Sequence, residues 1–315
     1  MKKIWKKMFL FLTSSIIFVP SVFVSCQNKK QVVNNNQKYL YNELNDYYKL
    51  ADGKKGQELY EILNEIQKKS FKVKTKYSNL KKFYDDSNAF KDLYYENDKS
   101  ILDVYSENPN GKDEYFYQQY NANSKEHAEN EGAGLNREHL IPQSWFDKKE
   151  PIRSDAQFVW PSDIYVNSVR ENFPHDKVLK LEKKTKNGSK KGKNKFNKNV
   201  FEPVDEFKGD IARAYLYYAI TWNKDKKFNV KKDQNLVLQN IFPYLKKHYL
   251  DLYIKWNNED SVDEFDIKRN NEIAEKWHGV RNPFIDYPDL AKSLFGNPDE
   301  LVPFKNKGVL IGLNK

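Results

Sequence analysis

The chain has 315 residues, a formal net charge of +10 and a mean hydropathy of −0.89. A single cysteine, Cys26, excludes an intrachain disulfide, and no stretch after it is long and apolar enough to span a membrane. Fifty-four basic residues against 44 acidic ones favour anionic partners such as nucleic acid or lipid headgroups.

The first eight residues form a basic run, and Phe9 to Val24 is apolar but too short for a comfortable spanning helix, so residues 1–26 read as a signal peptide. Cys26 follows Ser25 directly, as in a lipobox, and is the expected lipidation site; a plain unmodified thiol is the alternative. Residues 27–38 are rich in Asn, Gln and Lys and are expected to act as a flexible tether. A helix is predicted over Tyr39 to Leu50. Leu59, Ile62, Leu63 and Ile66 mark the apolar face of a second helix, at spacings i, i+3, i+4 and i+7. A strand is predicted at Ile101 to Tyr105, a turn at Asn108-Pro109-Asn110-Gly111, and a polar loop over Lys125 to Gly134. Residues 176–200 carry ten lysines, two glycines and few apolar residues. This segment is predicted to lack regular structure, either as a solvated insertion or as an arm touching phosphates. Gly209 to Trp222 reads as a buried helix, and Asp233 to Ile241 and Asp263 to Trp277 as amphipathic stretches. The whole is read as one α+β domain over residues 39–300, followed by a tail over residues 301–315.

Two polar clusters carry the chemistry. The first is Asn136-Arg137-Glu138-His139; the second, some thirty positions later, is Asn167-Ser168-Val169-Arg170-Glu171-Asn172. Phosphodiester hydrolysis needs a base for water, neutralisation of charge on phosphorus and help for the leaving oxygen. A neutral histidine, His139, suits the first task. A divalent cation suits the other two, and Mg²⁺ needs only one or two protein oxygens, which Glu138 and Asn167 would supply. Ca²⁺ and Mn²⁺ are the alternatives. Only six arginines occur in a lysine-rich chain, so an arginine marks a place where a planar fork is wanted, or a buried ion pair. Arg170 is a candidate to brace the phosphate. Arg137, Arg153, Lys183, Lys184, Lys190 and Lys191 are candidates for nucleic-acid contacts. One difficulty is geometric: neighbours on a regular strand point to opposite faces, so Glu138 and His139 share a site only where the backbone bends or bulges.

Asn136 to Phe146 resembles the signature of the bacterial endonuclease I family, secreted sugar-nonspecific nucleases of the ββα-metal, or His-Me finger, group. Asp155 to Phe173, with Trp160-Pro161-Ser162-Asp163 and Val166-Asn167, resembles the family's second motif. Phe207 to Tyr215, Arg269 to Ile273 and Arg281 to Asp286 resemble later segments in the same order. The resemblance implies a ββα-metal core, Glu138 and Asn167 as metal ligands, His139 as general base, and products with 5′-phosphates. It leaves Arg153 and Arg170 as alternative phosphate-bracing arginines. Gln157-Phe158, Ile164, His278 and Val280 depart from the family pattern, whereas the three catalytic positions are intact. Among other histidines, His127, His175 and His248 are expected at the surface, and His278 in packing or hydrogen bonding. The expected protein is a lipid-anchored or secreted endonuclease acting on DNA and RNA outside the cell, with no protein partner. A surface nucleic-acid-binding or adhesion lipoprotein that does not cleave is the alternative.

Overall fold

The computed structural model describes residues 38–71, 75–222 and 235–314. The proposed signal peptide, Cys26 and all of the tether except Lys38 lie outside these residues. In chain order the elements are strand β1 (Lys38–Asn42), helices α1 (Gly56–Ser70), α2 (Leu80–Asp86) and α3 (Tyr120–Asn123), strands β2 (Leu135–His139) and β3 (Val159–Asp163), and helix α4 (Ile164–Arg170). Strands β4 (Lys180–Lys184), β5 (Lys190–Lys193) and β6 (Asn199–Glu202) follow, then helices α5 (Lys208–Thr221), α6 (Lys247–Glu259), α7 (Glu264–Lys276), α8 (Pro283–Asp286) and α9 (Ala291–Leu294), and strand β7 (Val309–Asn314). The strands form three small antiparallel sheets, β1–β7, β2–β3 and β4–β5–β6, among helices, so the fold is mixed α+β.

Helix α5 is the central element. It is apolar on nearly every side and buried along almost its whole length, as its sequence predicts, and it packs against α6 and α1. Helix α1 turns the predicted stripe inward: Leu59, Leu63 and Ile66 are buried. Three buried arginines around this core pair with carboxylates. Arg213 faces Asp266, Arg269 faces Asp210 and Asp266, and Arg281 forks onto Asp286. All three arginines are therefore structural, bringing the partners a buried charge requires.

Several predictions from the sequence are corrected. Residues 39–50 are not a helix but strand β1 and a turn. The side chains of Asn42 and Asn45 accept from the amides of Leu44 and Tyr47, offering the backbone a non-helical alternative. Residues 101–105 form only a bridge from Ile101 to Lys91. Asp103 accepts from the amide of Tyr105 and turns the chain there. The described part of 233–241 is a tight loop closed by the Leu238–Leu245 bridge and the Asn235 side chain. The segment 301–315 is no tail, since its strand β7 pairs with β1. Lys38, assigned to the tether, begins that strand.

The largest correction concerns residues 176–200, which form the β4–β5–β6 sheet rather than an unstructured arm. Val200 and Phe201 are buried, and Phe201 packs edge-on to Tyr105 and His175, which fixes the sheet to the body. Gly192 permits the pairing: a Cβ there would lie 2.2 Å from the Lys180 carbonyl oxygen. A Glu182 bulge breaks the ladder, with Lys183 opposite Lys191 and Lys184 opposite Lys190.

Candidate active site

Strand β2 pairs regularly with β3, from Leu135–Asp163 to His139–Val159, without a bulge. Asp163 ends β3 and starts α4 by accepting from the Val166 amide at 2.8 Å, an N-cap. Its other oxygen takes the Tyr117 hydroxyl, while its own amide donates to Asp103. The chain thus runs strand, strand, helix with little freedom at the join, and brings Asn167 beside β2. A cleft of about 520 Å³ lies there, lined by Asn136, Arg137, Glu138, His139 and Asn167 together with Tyr77. The geometric difficulty raised by the sequence is resolved without a bulge. Near His139, β2 is an edge strand, and side chains from both of its faces border the opening.

Glu138 is buried. Its Oε1 lies 3.1 Å from the Tyr105 hydroxyl, which donates to it, and 3.1 Å from Arg170 Nη1. Burial raises its pKa above the usual carboxylate range, against the opposing charge of Arg170 and the Tyr105 hydrogen bond. The same hydroxyl is 2.7 Å from His175 Nε2, and His175 Nδ1 is 3.1 Å from the Tyr215 hydroxyl. His175, expected at the surface, is fully buried in this network, and burial holds its pKa well below the ordinary value. His248, expected at the surface, is half-buried with its Nε2 2.9 Å from Asp176, whereas His127 is exposed.

His139 is held differently. Its Nε2 lies 3.1 Å from the backbone carbonyl of Arg153. A carbonyl oxygen only accepts, so Nε2 carries the proton and Nδ1 keeps its lone pair. The ring stacks on Tyr77 at 5.4 Å. Arg137 and Arg153 lie 3.7 and 4.1 Å from the Tyr77 ring centre, and Arg137 also donates to the Tyr77 carbonyl. Burial pushes the His139 pKa down to about 3, helped by the charges of Arg153, Arg137 and Arg170 and opposed by the Arg153 carbonyl. The imidazole is neutral at pH 7, as a proton acceptor must be.

Asn167 is oriented by Asn136, whose Oδ1 accepts its Nδ2 at 2.6 Å. Among the described residues, no protein donor is found on the Asn167 carbonyl oxygen. The Glu138 carboxylate borders the same cleft. A carboxylate and an amide oxygen bordering one cleft are the hard donors a Mg²⁺-type cation takes, so the residues fit such an ion. The sequence reading missed Asn136 in this role. The signal was present, since Asn136 is two residues before Glu138 and shares its strand face.

Arg170 departs from its expected role. Nη1 donates to the His139 carbonyl at 2.8 Å, Nη2 to the Leu140 carbonyl, and the side chain is 1% exposed. It fastens α4 to the end of β2 at the border of the cleft. Arg153 and Arg137 are half-buried beside His139. The lysines divide by face. Lys183 bonds the Tyr165 hydroxyl and Lys191 pairs with Glu171 at 2.6 Å, both on the α4 side near the cleft. Lys184 and Lys190, one position along each strand, point to the opposite face.

Three of the departures from the family pattern meet in one buried cluster that does not line the cleft. Gln157 donates to the Val280 carbonyl and to Asn270, while His278 donates to Asp155 and accepts from the Val280 amide. They hydrogen-bond within one cluster, apart from Glu138, His139 and Asn167.

The family model described as Endonuclease I matches residues 54–289. An extracellular ribonuclease of Bacillus amyloliquefaciens is 31% identical over 256 residues, which cover 79% of this chain and 78% of the relative. An extracellular ribonuclease of Bacillus subtilis (strain 168) is 31% identical over 166 residues, 51% of this chain and 54% of the relative. With matching motifs gathered around one cleft, a matching family model and a similar relative, the chain belongs to the Endonuclease I family of nucleases, enzymes that hydrolyse nucleic acid.

Proposed function

We propose that the protein is an extracellular, metal-dependent endonuclease that cleaves DNA and RNA without sequence preference, on a ββα-metal core made of β2, β3 and α4. The observation that carries this reading is the Arg153 carbonyl holding His139 as the Nε2–H tautomer, which presents Nδ1 as the base. In the proposed reaction His139 Nδ1 removes a proton from water. The water oxygen forms a bond to phosphorus as the bond to the 3′ oxygen breaks, leaving a 5′-phosphate, and the departing 3′ oxygen takes a proton from solvent to become the 3′-hydroxyl. Glu138 and Asn167 would hold Mg²⁺, which supplies Lewis acidity and charge neutralisation when bound. Tyr105 and Arg170 fix Glu138, and Asn136 fixes Asn167, so both donors are oriented before the substrate arrives. Arg153 and Arg137 stand beside the base and serve as the phosphate-contacting arginines.

RNA as a substrate is supported by the relatives, both named extracellular ribonucleases. The backbone-directed chemistry supports DNA equally, because no part of it depends on the 2′-hydroxyl. Location outside the cell is supported by the same relatives and by the signal-like residues 1–26, with attachment through a lipid on Cys26. Scavenging of nucleotides from external nucleic acid follows from that location.

The test incubates the mature protein with plasmid DNA and with RNA, with and without EDTA. Both substrates should be cleaved, and EDTA should stop cleavage. His139→Ala should lose on the order of a hundred- to ten-thousand-fold in rate while still binding DNA. Glu138→Ala or Asn167→Ala should raise the Mg²⁺ requirement. Cleavage by His139→Ala at the parent rate removes the base assignment.

A further inference from the structure

A second group of carboxylates lies in the loop region between α2 and α3. Asp92, Glu96 and Glu107 each place a ligand oxygen within 4.8 Å of the other two. Ligands on a single Ca²⁺ sit at about 2.3–2.6 Å, so two of them are never more than about 5 Å apart. The three oxygens satisfy that limit as they stand. Asp92 and Glu107 are each 1% exposed, whereas Glu96 is exposed and gives the group an opening to solvent.

The hydrogen bonds around these oxygens leave capacity for a cation. Asp92 Oδ1 accepts the amides of Tyr94 and Tyr95, while Oδ2 accepts only that of Asn97 and keeps a lone pair. Glu96 accepts the Asp113 amide through Oε1, and its Oε2 has no donor. Glu107 Oε1 is buried and has no hydrogen-bond partner at all. A buried carboxylate oxygen without a donor is expensive, and here it faces two further carboxylates. Asp103 and Asp113 add to the same negative field. Among the described residues, no lysine or arginine forms an ion pair with Asp92, Glu96 or Glu107. What is missing from this environment is a positive charge that takes several oxygens at once.

We infer that Asp92, Glu96 and Glu107 form a structural Ca²⁺ site separate from the catalytic cleft. Calcium fits better than magnesium because it accepts six to eight oxygens in irregular geometry, whereas magnesium demands a near-octahedral set and keeps its waters. Three carboxylates from a folded loop, two buried and one open, make an irregular set.

The position gives the site a purpose. Glu107 is two residues from Tyr105, which holds Glu138, and four from Asp103, which holds the start of α4 through the Asp163 amide. The Glu107 carbonyl also takes a bond from Asn187 in the β4–β5 turn. A cation closing residues 92–107 would stiffen the loop that supports the catalytic strands and joins them to the lysine sheet.

The experiment follows thermal unfolding of the mature protein as Ca²⁺ is added after EDTA treatment. The parent should gain several degrees in Tm at Ca²⁺ about a hundredfold above its Kd. The same gain should appear in Glu138→Ala/Asn167→Ala, which lacks the proposed catalytic ligands. Glu107→Gln keeps the side-chain shape and should lose the gain. Glu96→Gln, an exposed change that does not threaten folding, should move the Ca²⁺ midpoint to higher concentration. An unchanged gain in Glu107→Gln, or a parent midpoint in Glu96→Gln, overturns the site. Disappearance of the gain in Glu138→Ala/Asn167→Ala shows that the effect belongs to the cleft. An equal gain with Mg²⁺ overturns the assignment to calcium.

Discussion

Replacing Arg170 with methionine separates a clamp from a phosphate brace. The guanidinium is 1% exposed and bonds the His139 and Leu140 carbonyls as well as Glu138. Methionine preserves much of the length and none of the donors. Glu138 then remains buried with no positive charge beside it, the His139 carbonyl loses the guanidinium, and the Leu140 carbonyl keeps only the Tyr215 hydroxyl. Breaking a buried pair in this way costs about 3–5 kcal/mol. At roughly 2–4 °C per kcal/mol for a domain of this size, Tm should fall by roughly 6–20 °C. The assay is thermal and urea unfolding in EDTA, so that loss of a catalytic metal cannot contribute. Adding Glu138→Gln to Arg170→Met removes the orphaned charge and should recover part of the loss, a coupling of about 0.5–3 kcal/mol in a double-mutant cycle. If Arg170→Met keeps the parent Tm and loses only cleavage, Arg170 touches the phosphate and the clamp is wrong.

Two further outcomes are expected. Lys183→Gln/Lys191→Gln should lower the salt slope of duplex binding by about one to two, because each phosphate contact contributes about 0.9. Lys184→Gln/Lys190→Gln, on the far face, should leave it unchanged; anisotropy of a labelled duplex across KCl concentrations in EDTA decides, and equal effects of the two pairs would refute the division by face. Asp263 caps α7 among Asp210, Asp260 and Asp266, four carboxylates facing two arginines, and burial with the Asp266 charge pushes its pKa up to about 6. A raised carboxyl makes the folded state bind protons more tightly than the unfolded one. Its contribution to stability is therefore full below about pH 4 and is lost as pH rises to about 6. Asp263→Asn keeps a capping acceptor and should flatten that part of the stability–pH curve in urea unfolding; an unchanged curve would show that Asp263 does not titrate there.

What the sequence reveals follows the range of the interactions. Helices α1, α5 and α7 are legible because their apolar residues repeat locally. The grouping of Glu138, His139 and Asn167 is legible because matching motifs occur in order. The β4–β5–β6 sheet is hidden because lysines occupy its strands and drown the period of two; only Val200 and Phe201 betray it. Strand β1 is hidden because its partner is at the other end of the chain. The fate of Arg170 is hidden for another reason: arginine suits a carboxylate, a carbonyl and a phosphate equally, and only the burial of α4 against β2 selects among them. The same limit applies to His175, a histidine in a polar segment that the fold draws wholly inside.

The pairing of β1 with β7 makes completion of the fold depend on a segment synthesised long after β1. Tyr41 also donates to the Asp286 carbonyl, 245 positions away, and Arg281 donates to the Leu310 carbonyl. No N-terminal fragment can close these contacts, however well its helices form. Bringing such distant segments together is slow relative to local helix formation. A nascent chain therefore carries β1 unpaired until residues 309–314 have emerged, and a fragment ending before them lacks this β-ladder.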